Sequence, residues 1–107
     1  MTINLAIEYI PRRMRELGYD DNYIIRFRHF VLVDNQLINV RAFAGEFYLL
    51  VEESSSIKIE SECGIYDRAD QNTNELIYEH HGEITIFNKD RSVTAAKMIQ
   101  VIPQHKK

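Results

Sequence analysis

Residues 23–52, YIIRFRHFVLVDNQLINVRAFAGEFYLLVE, decide how the chain folds. In their first eleven positions Tyr23, Ile25, Phe27, His29, Val31 and Val33 alternate with Ile24, Arg26, Arg28, Phe30 and Leu32. Successive strand side chains point to opposite faces. One face is therefore nearly all apolar, and the other carries Arg26 and Arg28 in its middle. Asp34 and Asn35 tolerate positive φ, so 33–36 reads as a two-residue hairpin turn. The second arm, 37–52, is rich in the β-branched and aromatic residues that strands favour. Pairing Val33 with Gln36 sets a register with Val31 opposite Ile38, His29 opposite Val40, Phe27 opposite Ala42 and Arg28 opposite Arg41, and Arg26 diagonal to them. Like charges directly opposed destabilise a sheet. That register calls for solvent, for an acid of the same chain such as Glu46, Glu60 or Glu83, or for a partner's carboxylate or phosphate gripped by the guanidinium fork. Gly45 inside the second arm predicts a break at 44–46, with 47–52 continuing in another direction or sheet.

Upstream, Ile3, Leu5, Ile7 and Tyr9 alternate as in a strand, while Ile3, Ile7, Ile10, Met14 and Leu17 also recur at helical spacing. Pro11 suits the first position of a helix and Gly18 the residue just past its end. These signals predict a strand over 3–9 and a short helix over 11–17. That helix turns Met14 and Leu17 inward and Arg12, Arg13, Arg15 and Glu16 outward, as a solvated face or a protein or phosphate contact.

Downstream, 57–66 alternates Ile57, Ile59, Ser61, Cys63 and Ile65 with Lys58, Glu60, Glu62, Gly64 and Tyr66. It reads as one half-buried strand with an acidic outer face carrying Glu60 and Glu62, and with Cys63 as a small buried residue. The loop 67–75 is rich in oxygen ligands but lacks the EF-hand spacing and glycine, so ordinary Asx turns explain it better than calcium. The stretch 76–88 is extended, with a break near His80-His81-Gly82. Glu79, His81 and Glu83 share one face of it, which is a solvated edge or, less simply, a metal site. A turn at 88–92 and a last strand over 93–102, ended by Pro103, complete the chain, with a polar tail at 104–107.

The chain has 107 residues and reads as one β-rich domain, 1–107. A chain of this size buries about 60–70% of its unfolded surface without help from disulfide or metal. Its one cysteine cannot form an internal bridge. The first residues lack the basic and apolar regions of a signal peptide, and no apolar run reaches the ~20 residues of a membrane span. Synthesis in the cytoplasm is expected. Net charge is −3, which argues against a nucleic-acid partner. Residues 1–50 hold six arginines, no lysine and six acids, and arginine rather than lysine is enriched at protein interfaces. The glycines form no phosphate loop or dinucleotide fingerprint, and no nucleophile elbow, CxxC or HExxH occurs. No cofactor and no catalytic residue is expected. About seven short strands and one short N-terminal helix suit a mainly β fold: an antiparallel β-sandwich, jelly-roll-like, or a small barrel.

Gly64-Ile65-Tyr66-Asp67, Asn74-Glu75, Tyr78-Glu79-His80 and 98–103 resemble stretches in small β-rich structural proteins of bacteriophage particles. The resemblance implies a role in building or decorating a virion. Taken with the residues, the reading is a non-enzymatic structural subunit of a repeated protein assembly. Its candidate partner-binding residues are Arg26, Arg28, Arg41, Arg12, Arg13, Arg15, Glu60 and Glu62. A basic face on one copy then meets an acidic face on another, self or other subunit. The alternative is a small ligand- or carbohydrate-binding β-sandwich module, with its pocket near Tyr66, Tyr78 and the 67–75 loop.

Overall fold

The computed structural model describes residues 3–43, 45–53, 57–67, 79–89 and 91–104. They form helix α1 (Ile3–Glu16) and strands β1 (Tyr23–Leu32), β2 (Leu37–Ala42), β3 (Phe47–Glu53), β4 (Ile57–Ser61), β5 (Gly64–Asp67), β6 (Gly82–Asn88) and β7 (Thr94–Pro103). The turn at 33–36 forms where the sequence places it, with the Gln36 N–H donating to Val33 O at 3.0 Å. The two arms it joins do not pair. β1 lies in a three-stranded sheet ordered β1-β7-β3, and β2 in a four-stranded sheet ordered β2-β6-β4-β5. Of the two central residues of this turn, Asn35 has positive φ, 53°, and Asp34 does not. The hairpin turn that matches strand twist needs positive φ at both central positions, and other turns splay the strands. The arms therefore part into two layers, and the whole predicted hairpin register is replaced. Arg28 stands opposite Met98, and Arg41 stands opposite Glu83.

All the named strand pairings are antiparallel, and the two sheets make a sandwich. Between them lie Leu32, Tyr48, Leu50, Ile57, Ile59, Ile84, Ile86 and Met98. The predicted break at Gly45 (φ 85°) is where the chain leaves one sheet for the other, with β2 before it and β3 after it. Ala44 lies outside the described residues. A second core forms on the outer face of the first sheet, where Ala6, Ile10 and Met14 of α1 meet Phe47, Leu49, Ile99 and Val101.

Two expected elements differ. Residues 3–9 are helical rather than extended, and α1 runs through Pro11. The proline removes one intrahelical hydrogen bond, but the carbonyl it would serve belongs to the exposed Ile7. Ala6, Ile10 and Met14 bury one stripe at i, i+4 spacing, and that burial outweighs a local strand signal. The strand expected over 57–66 is instead the hairpin of β4 and β5, with Ser61 opposite Gly64. Glu62 and Cys63 form its turn, so Cys63 is exposed rather than buried.

The buried Asn88 joins the ends of both layers. Its Nδ2 donates to Leu32 O (3.3 Å), Val33 O (2.9 Å) and Ser92 O (2.9 Å), and its N–H donates to Gln36 O (3.0 Å). The turn after β1 is thus tied to the turn between β6 and β7.

Candidate functional site

The alternation in β1 is correct, but its faces are reversed. The face with the arginines looks into the sandwich: Leu32 is fully buried and Phe30 packs on the core. Arg28 is tolerated there because it is satisfied. Its Nη1 donates to Tyr48 Oη and to Gln100 Oε1, each at 3.2 Å, and its guanidinium lies 5.3 Å from the centre of the Phe30 ring. Gln100 in turn donates to Glu46 Oε1 at 2.9 Å. With Arg28 no longer opposite Arg41 the like-charge clash is gone, and Glu46 lies one hydrogen bond beyond Arg28, through Gln100. Burial raises the Tyr48 hydroxyl pKa, against the lowering pull of Arg28.

The apolar face of β1 is the uncovered one. Ile25 is 40% exposed, Phe27 63% and Val31 53%. α1 covers the same face of the sheet over β3 and β7. Nothing described covers it over Phe27. β1 is also the end strand of its sheet. The other sheet margins are less open. The far side of β3 is met by His80, which exchanges two backbone hydrogen bonds of 3.0 Å with Tyr48. β5 has only four residues. β2 has six and presents Asn39 and Arg41 to solvent. β1 has ten, with no proline or lysine. Short strands, prolines, lysines and inward-pointing charges are the usual means of blunting a sheet edge, and of these β1 has only the charges of Arg26 and Arg28.

Placed on this frame, the sequence candidates do not form one surface. Arg26 is exposed on β1 and Arg41 on β2, in different sheets. Arg12 and Arg15 are exposed on α1. Arg13 is half-buried. Glu60 sits 3.0 Å from Lys58 Nζ on β4, and Glu62 lies in the next turn beside Gly82. The acidic strand face is thereby divided.

Arg13 belongs to a cluster that the sequence did not reveal. Its Nε donates to Glu79 Oε1 at 2.6 Å, Tyr9 Oη donates to the same oxygen at 2.6 Å, and His81 Nε2 lies 3.1 Å from Glu79 Oε2. Burial pushes the Glu79 carboxyl pKa up, but the hydrogen bonds from Arg13, Tyr9 and His81 prevail and hold it below the usual carboxylate value. The same contacts raise Arg13, through its bond to Glu79, and Tyr9, through burial and then Glu79. Next in sequence, the buried His80 points to the other layer, with Nδ1 2.7 Å from Ser61 Oγ, which also accepts the Cys63 N–H at 3.2 Å. Burial and then the neighbouring His81 lower the His80 imidazole to about 4. A Ser–His contact suggests a nucleophile and its base. So weak a base is a poor proton acceptor near neutrality, and the adjacent carboxylate is spent on Arg13, Tyr9 and His81. Residues 79–81 act as a clamp between α1, β3 and the β4–β5 turn.

Glu83 does not join Glu79 and His81, because it faces Arg41. Among the described residues no group of three His, Cys, Asp or Glu side chains is placed to hold a metal. The loop 67–75, apart from Asp67, and Tyr78 lie outside the described residues. A shallow groove of ≈ 240 Å³ does exist, but on the outer face of the second sheet, lined by Leu37, Lys58, Glu60, Thr85 and Phe87. No helix is long and apolar enough to cross a membrane, among the described residues.

No protein-family model, curated protein or solved structure matches the chain.

At Gly82, which leaves the clamp with φ +69°, an added Cβ would stand 2.8 Å from Glu62 Oε2. The flexible carboxylate can move aside, but the left-handed backbone cannot be relieved. Gly82→Ala is expected to lower stability by about 1 kcal/mol in urea unfolding.

Proposed function

We propose that this protein is a non-enzymatic structural subunit of a repeated protein assembly, with a phage particle as the setting that the sequence resemblance implies. One observation carries the reading. Ile25, Phe27 and Val31 stand exposed on an end strand, while on the same sheet face the chain's own helix covers Phe47, Leu49, Ile99 and Val101. Exposed large apolar side chains gathered on one open strand mark a site of association. The arginines that first suggested a partner contribute less, since Arg28 and Arg13 are occupied within the chain.

Sedimentation velocity and native mass spectrometry across a concentration series test the proposal. The wild type is expected to show concentration-dependent association or a co-purifying chain. Phe27→Glu is expected to remove it while changing stability by no more than about 0.5 kcal/mol, as at other exposed sites. A strictly monomeric wild type with no co-purifying chain overturns the proposal.

The second reading, a ligand- or carbohydrate-binding module, draws support from the groove between Leu37 and Phe87 with its polar rim of Lys58, Glu60 and Thr85. A thermal-shift response to a glycan panel, lost in Phe87→Ala, would favour it.

A further inference from the structure

We infer that β1 pairs with β1 of a second copy, antiparallel, about a two-fold axis at His29. The inference rests on the assembly reading and names its contact. β1 is the longest open edge among the described strands, and its outer apolar strip, paired on one side with β7, gains neighbours on its open side only if another strand lies alongside. A second copy fits because the positions of the arginines leave one good register. In a two-fold antiparallel pair each residue on the axis faces itself, and its neighbours face each other in mirror order. An axis at Arg26 opposes Arg26 to Arg26, one at Phe27 opposes Arg26 to Arg28, and one at Arg28 opposes Arg28 to Arg28. All three place like charges directly across. An axis at Ile25 avoids this but pairs only 23–27 of the strand, and one at Phe30 pairs only 28–32.

The axis at His29 pairs 26–32. It sets Phe27 against Val31 of the second copy on the bare face, an aromatic against a β-branched residue. It also sets Arg28 against Phe30 of the second copy, repeating across the junction the stacking that Arg28 makes with its own Phe30. Seven paired residues fall short of the ~1,200 Å² of a specific stable interface, so the junction is weak and reversible. Its contact is isologous and closes at two copies, which makes the dimer the unit that the assembly repeats.

The test is a single-cysteine scan in a Cys63→Ser background under mild oxidation at high protein concentration, with circular dichroism as a check of folding. Directly opposed strand residues have Cα atoms about 4.5–5.5 Å apart, within the disulfide range of about 4.4–6.8 Å. His29→Cys is expected to cross-link into a dimer. Val31→Cys is displaced from its mate by four residues, about 13 Å, and Ile25→Cys by more; neither is expected to cross-link. As a second measurement, His29→Glu and His29→Lys are each expected to weaken self-association about tenfold, and an equal mixture of the two to restore it. Self-association without a His29→Cys cross-link, or with a cross-link at Ile25→Cys or Val31→Cys instead, overturns the junction and leaves the assembly reading standing. Neither self-association nor a cross-link at any concentration overturns the junction, and a strict monomer with no co-purifying chain overturns the assembly reading as well.

Discussion

Glu79→Ala is expected to lower the unfolding free energy by about 2–4 kcal/mol, among the largest effects of any single polar substitution in this chain. The carboxylate is mostly buried and takes hydrogen bonds from Arg13, Tyr9 and His81. Charge-assisted hydrogen bonds contribute about 1.5–3 kcal/mol each at most, and removing one side of a buried pair leaves its partners unsatisfied. Tyr9 is the group left worst placed, since it is half-buried and packs against the second core. The loss is local to the helix. Hydrogen exchange should show α1 opening ahead of both sheets, and Tyr9→Phe should recover only part of the effect because Arg13 keeps its bond. Denaturant unfolding of the variant with an unchanged midpoint would show that the cluster is decorative.

Acid should destabilise the protein in two successive windows. His80 titrates at about 4 in the folded chain and near 6.5 when unfolded. Between those values the unfolded chain binds a proton that the folded chain refuses. Stability therefore falls as pH drops from about 6.5 to about 4, by up to roughly 3 kcal/mol. Glu79 acts lower down. Its folded pKa is depressed, so its contribution is fully present above the unfolded value near 4.5 and is lost as pH falls through the folded one. His80→Gln should flatten the upper window and leave the lower one. Unfolding midpoints measured from pH 7 to pH 3 would separate the two. A flat profile from 6.5 to 4.5 in the wild type would contradict the burial of His80.

Much of this fold was legible in local pattern. Gly45 marks the change of sheet, Gly18 the end of α1, the alternation that starts at Ile57 the strand β4, and the run 93–102 ended by Pro103 the strand β7. What failed was pairing and facing. Asp34 and Asn35 announce a turn, but whether its arms pair depends on the backbone at both positions and on β6 and β7, which arrive some fifty to seventy residues later. Arg28 looked like an outward residue because arginine usually is. It faces inward because Tyr48 and Gln100, distant in sequence, happen to receive it. Spacing alone puts Glu79, His81 and Glu83 on one face, as a solvated edge or, less simply, a metal site. The donors that Glu79 meets, Tyr9 and Arg13, sit on a helix whose first half carries strand-like alternation. No periodicity reports a contact between residues so far apart. The open strip on β1 was visible as a run of apolar residues, and only the position of α1 shows that it stays bare.

The strand order of the first sheet has a consequence for how the chain is made. β7, the last of the described strands to leave the ribosome, is the central one, pairing Tyr23 with Pro103 on one side and Phe47 with Val101 on the other. β1 and β3 emerge early and have no sheet partner until it arrives. Among the described strand pairs only the β4–β5 hairpin can close from neighbouring residues. Contacts this distant in sequence slow folding, and sticky segments held open meanwhile are the ones that aggregate. Closure of this sheet is therefore expected to wait for β7 and to happen in one step, with the vulnerable interval lasting until β7 is in place.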